Sequence, residues 1–275
     1  MQSKLAQHLK MKLNPVAILW SDDRPEGAIQ FQKGKWGCVM MLFAQAAKGR
    51  TAVFDRETFA CFGGGVGLGF GNQYKNFTGG EECFYRFLST GNESILNDND
   101  SNIAEEADWR REASDDFIYG ERYVKTPELV KKFVESMPII DVPAKYVIFK
   151  PLKEVDEDKD RPVVITFPVN PDQLSALVVM ANYAREVNEN VYAPFAAGCQ
   201  SIGIFAYKET ESENPRGIIG LTDISARNYT TRQIGKDILT FAVPTKMFHE
   251  MESNVEGSFL QRESWRKLAK QNLGG

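Results

Sequence analysis

The chain has 275 residues, with 33 Lys and Arg against 37 Asp and Glu, a formal net charge of -4 and 43% hydrophobic residues, so it can bury a sizeable core. The negative balance, with no basic stripe studded with aromatics, argues against nucleic-acid binding. No run approaches the roughly 20 uncharged apolar residues of a membrane-spanning helix, and the first residues lack a secretory apolar core, so a cytoplasmic protein is expected.

In chain order, residues 2–12 read as a helix and 15–20 as a strand, followed by a turn over 21–27. Val39, Met40, Phe43 and Ala47 share one face of a helix over about 38–47 that Gly49 stops, and 51–55 is a strand. Residues 91–116 turn to Asn, Asp, Glu and Ser, the composition of a lid-like insertion or a solvated surface loop. Thr126-Pro127 caps a helix over 128–136, and 144–150 and 162–167 are strands. A strong helix is predicted over 171–187, and strand character over 191–207. The segment 217–227 reads as a strand entering a polar turn. A strand over 238–243, a helix to 252 and a helix over 258–270 complete the chain. The expected class is α+β or α/β: a mixed sheet with packed helices, one domain over 1–275.

Four cysteines carry the chemistry: Cys38, Cys61, Cys83 and Cys199. In a reducing compartment they are free, catalytic or metal-bound rather than disulfide-linked. Cys61 opens a run in which Gly63, Gly64, Gly65, Gly67, Gly69 and Gly71 fall within nine positions, read as a loop whose amides can approach a ligand closely. The run fits neither G-x-G-x-x-G nor a P-loop, so nucleotide binding is weakly supported. With only His8 and His249, a Ser-His-Asp triad, a histidine base or a multi-histidine metal site has little to draw on, and His249-Glu250 does not extend to a zincin motif.

The helix pattern Val39-Met40 with Phe43-Ala44 recurs as Val179-Met180 with Tyr183-Ala184, displaced by 140 positions, and Cys61 and Cys199 are displaced by 138. That echo makes 13–90 and 144–243 candidate pseudo-repeated halves whose cysteines meet at one site. Coincidence explains it about as well, because apolar helix faces resemble one another readily. Asp223 and Arg227 can hold a polar or anionic ligand, or pair with each other to fix the turn.

Lys35-Trp36-Gly37-Cys38, Cys61-Phe62-Gly63-Gly64, the segment 170–177, Gly198-Cys199-Gln200-Ser201 and the segment 217–227 together resemble the family catalogued as domain of unknown function 169, over most of the chain. The resemblance implies a shared site but no established reaction. Members that look like this chain are frequent in anaerobes, which suits thiol or iron–sulfur chemistry. The family often carries a second Gly-Cys pair where this chain has Thr222-Asp223, followed by an Arg that matches Arg227, so a four-thiol ligand set does not transfer intact.

Two functions follow. In the first, Cys38, Cys61 and Cys199 hold a metal centre, iron–sulfur favoured, completed by Cys83, a carboxylate, an exogenous ligand or an open position. Their spacings of 23 and 138 residues match no compact ferredoxin or zinc motif, so the fold must assemble the site. In the second, a small anionic metabolite or cofactor binds through the glycine amides with Lys33, Lys35, Asp223 or Arg227, the thiols lining the pocket. There, Lys35 and Lys48 would lower the pKa of Cys38 if they lie close. The expected partner is a small ligand or a redox partner, with a homo-oligomer open. The enzyme question is left undecided.

Overall fold

Strands built almost wholly of apolar residues need cover on both faces. A computed structural model describes residues 1–96 and 111–271 and shows how that cover is made. Seven strands form one mixed sheet, β1 (Val16–Ser21), β2 (Ala52–Phe54), β3 (Tyr146–Pro151), β4 (Pro162–Val169), β5 (Val191–Tyr192), β6 (Gly217–Gly220) and β7 (Leu239–Pro244), in the order β2-β3-β1-β4-β7-β6-β5. Every neighbouring pair is antiparallel except β5–β6. The helices are α1 (Lys4–His8), α2 (Val39–Ala47), α3 (Phe62–Leu68), α4 (Gly80–Phe87), α5 (Glu93–Leu96), α6 (Arg111–Tyr119), α7 (Pro127–Ser136), α8 (Pro171–Asn182), α9 (Gly198–Ile202), α10 (Ile204–Thr210), α11 (Ile224–Ile234), α12 (Thr245–Ser253) and α13 (Glu263–Gln271). The class is α+β.

Period-two alternation sends strand residues to opposite sides. Ala17 and Leu19, Ile165 and Phe167, and Phe241 and Val243 face one layer, with Leu5 of α1, Leu177 and Met180 of α8, Met247 and Met251 of α12 and Trp265 of α13. On the other face Phe149 meets Phe43 of α2 edge to face at 6.2 Å and Phe54 at 4.9 Å, and Trp20 meets Tyr207 of α10 at 5.0 Å. α8 starts with a full capping box, Asn170 accepting from Gln173 N–H and Gln173 from Asn170 N–H, on the apolar layer's side.

The contacts divide the chain into two compact units, Met1–Phe70 with Ile140–Gly275, and Gly71–Ile139. The first holds the sheet. The second has α4 to α7 around an aromatic cluster in which Tyr74 stacks on Phe84 at 3.9 Å and Phe77 meets Phe84, Phe87 and Phe117. There the buried Asn92 donates to the carbonyls of Cys83 and Phe117, both at 3.1 Å. Of the lid-like insertion over 91–116, the stretch 97–110 lies outside the described residues.

Three local readings change. Residues 191–207, expected as strand, keep only β5 before α9 and α10, because Ala197 to Ala206 are small and apolar and pack as helix against the sheet rather than in it. The polar turn after β6 is the start of α11, capped by Asp223. The glycine run is helix α3, not a loop. The echo between halves also falls on unlike places: α2 and α8 cover opposite sheet faces, and Val39 is buried where Val179 is 49% exposed.

Candidate thiolate site

Four helices begin at or beside a cysteine or an aspartate. Cys38 is the N-cap of α2, Cys61 of α3 and Asp223 of α11, while Cys199 is the second residue of α9. Cys38 and Cys61 have the extended backbone of N-cap residues, and the Gly64 amide donates to Cys61 Sγ at 3.2 Å. Gln200 Oε1 accepts from the Ala197 amide at 3.0 Å and fixes the entry to α9.

Glycines let these starts converge. A Cβ on Gly64 would stand 2.6 Å from Val39, the residue after Cys38, and 3.1 Å from Cys61 Sγ. One on Gly67 would stand 2.7 Å from the Cys199 carbonyl carbon, and one on Gly198 would stand 3.1 Å from Met40 and 3.2 Å from Asp223 Oδ1. At Gly67 backbone meets backbone, which leaves no room for a side chain, whereas Gly64 and Gly198 lie mainly against side chains. The Cys199 thiol donates to the Gly63 carbonyl at 3.5 Å. Cys38, Cys61, Cys199 and Asp223 are thereby gathered at one spot of the first unit. The glycines serve helix packing and do not form a phosphate cradle.

The spot gathers thiols and a carboxylate with little solvent around Cys199. Burial, then the neighbouring Cys61 and Asp223, pushes the Cys38 thiol up to about 12 against the pull of the Met40 and Met41 amides. Cys199 is driven up by burial first and then by Cys61, Cys38 and Asp223. No lysine acts on Cys38, so the activation expected from Lys35 and Lys48 does not occur. Burial also raises Asp223, opposed first by the Ala226 amide and then by its own amide, the Gly198 amide and the Arg227 charge. Its Oδ2 accepts from Ala226 N–H at 2.9 Å, and Oδ1 lies against Gly198.

The other expected site residues lie elsewhere or are committed. The Arg227 guanidinium donates to the carbonyls of Leu221 at 3.3 Å, Ile238 at 3.2 Å and Lys236, holding the loop after α11 rather than offering itself to an anion. Lys33 pairs with Glu57. Cys83 sits in α4 of the second unit, raised by burial. Two open clefts, one lined by Ser89, Thr90, Arg122 and Lys125 and the other by His8, Lys10, Trp265 and Arg266, contain none of the cysteines. Among the described residues no three His, Cys, Asp or Glu side chains stand close enough to grip a single metal ion as they are.

A profile of the family described as DUF169, uncharacterised ArCR, matches residues 4–254. The chain belongs to the DUF169 family. No curated protein and no solved structure matches it. In this DUF169 protein four of the five segments that carried the resemblance, those around Cys38, Cys61, Cys199 and Asp223, are brought together by the fold, while 170–177 opens α8 on the other sheet face. Sequence reasoning missed that Trp36 and Tyr229 meet edge to face at 5.0 Å and that Phe195 and Ile224 are exposed. The signal was present: these residues lie within six positions of Cys38, Cys199 and Asp223.

Proposed function

We propose that this protein holds a thiolate-ligated iron–sulfur cluster through Cys38, Cys61 and Cys199. The observation that carries the reading is the convergence of three cysteines, far apart in sequence, at one spot where Cys61 raises both Cys38 and Cys199 and Cys38 raises Cys199. Several acidic groups in a low-dielectric site are stable only while protonated or while a cationic centre neutralises them, and a metal inverts their pKa logic. The Gly64 amide facing Cys61 Sγ is the kind of hydrogen bond that tunes such a cluster's potential. Trp36, Phe195, Ile224 and Tyr229 would give a redox partner an apolar surface to dock on.

The test is anaerobic purification, followed by reconstitution with iron and sulfide, reading the visible spectrum with iron, acid-labile sulfide and zinc per chain. A brown protein whose colour and iron are lost in Cys61→Ser and Cys199→Ser, and kept in Cys83→Ser, supports the assignment. A chain that stays colourless and free of iron after reconstitution overturns it.

A further inference from the structure

We infer that the cleft between the end of α1 and α13, which holds no cysteine, is a binding site for a small organic phosphate. It measures about 370 Å³, the size of a small-molecule site. Leu260 and Trp265, each no more than 5% exposed, form its apolar floor, and Lys10, Arg266 and Lys270 stand exposed on its walls. No carboxylate lines it, and none of the three cations is ion-paired among the described residues. In a chain of net charge -4 this is a concentration of one sign, and concave walls focus its field on whatever enters.

The cations are held there at a cost. Arg266 and Lys270 lie four residues apart on one face of α13, where like charges repel. Lys10 follows the C-cap Leu9 with φ 53°, a left-handed backbone that glycine ordinarily fills after a helix. An anion between the walls relieves the repulsion and gives the strained lysine a use. The walls are also preformed. Trp265 Nε1 donates to the His8 carbonyl at 2.9 Å and Gln173 Nε2 to the Leu9 carbonyl at 3.1 Å, fixing the last turn of α1 against α13 and α8. A site whose backbone is already fixed has little to reorganise on binding. The charge count selects the ligand class. A phosphate monoester carries close to two negative charges at neutral pH on oxygens that an arginine fork and two ammonium groups can share, whereas a monocarboxylate carries one. The floor takes the apolar part of the ester.

The probe is phenyl phosphate, titrated into the full chain while two-dimensional NMR follows the Trp265 indole N–H and the backbone amides of Gln7 and Ala269, which also line the cleft. Saturable shifts confined to these groups, and absent with phenol, are expected. Arg266→Ser combined with Lys270→Ser should weaken binding about tenfold or more while melting like wild type, since both side chains are exposed. Lys10→Gly should also weaken it, yet melt at or above wild type, because glycine fits the left-handed position. No saturation by about 10 mM, equal affinity in the double variant, or inorganic phosphate binding as tightly as the ester overturns the inference.

Discussion

Changing Gly67 to Ala tests the helix crossing on which the site depends, and its sign is diagnostic. In a helix exposed to water, Gly→Ala stabilises by about 0.8–1 kcal/mol because alanine loses less conformational freedom. At Gly67 the added methyl would lie 2.7 Å from the Cys199 carbonyl carbon and 2.8 Å from Gln200 N, backbone atoms that cannot rotate away. Reaching ordinary contact near 3.4 Å requires α3 and α9 to part by about 0.7 Å. Overpacking of this kind costs about 1–3 kcal/mol, and contact with backbone belongs at the upper end. Set against the propensity gain, the net loss is about 1–2 kcal/mol, or a melting temperature lower by roughly 2–8 °C for a unit of about 200 residues. Thermal unfolding of the metal-free chain followed by circular dichroism measures it. Gly203→Ala should be worse, since its Cβ would fall 1.8 Å from the Gly67 carbonyl oxygen. A Gly67→Ala variant that melts higher than wild type would refute the crossing, and with it the route by which Cys61 and Cys199 meet.

Two further outcomes are expected. Because Cys38 is pushed up to about 12 and Cys199 is also raised, both thiols stay protonated in the metal-free fold where they would ionise in the unfolded chain. The folded state then binds more protons, so stability is intact below an unfolded thiol pKa of about 9 and falls as pH rises through the folded values. Urea titrations between about pH 8 and 10.5 should show that decline, with a shallower slope in Cys38→Ser; parallel slopes would count against the buried thiol cluster. At the sheet edge, Glu209 is buried and accepts from Arg216 N–H at 2.8 Å and from its guanidinium, which lies over Tyr192 at 4.4 Å. Arg216→Ala strands that buried carboxylate and should cost about 2–3 kcal/mol at pH 7, more than Glu209→Gln, whose surviving arginine reaches water; denaturant midpoints of the two variants decide the order.

The apolar strands and helices were legible because burial writes itself into periodicity: 15–20, 162–167 and 238–243 are strands within a residue or two, and Asn170-Pro171 with Gln173 announced α8. The segments around α9 and α11 were not. Ala197 to Ile202 carry no amphipathic pattern because α9 is buried all round, and α11 is rich in Ser, Asn, Tyr and Thr, whose weak helical preference is overridden by the Asp223 cap and packing on α2.

By itself the sequence determined that this chain is an α+β protein with a buried core, almost without histidine. It also marked Cys38, Cys61, Cys199 and Asp223 as residues worth following. Only the tertiary structure decided which of them meet. The glycines after Cys61 are a crossing point for α9 rather than a ligand loop, Arg227 holds backbone carbonyls, and Cys83 belongs to another unit. The physical reason is that a site drawn from four helices has no local spacing rule. Its residues are placed by how closely the helices pack, and that closeness is set where one backbone meets another at Gly67 and Gly203.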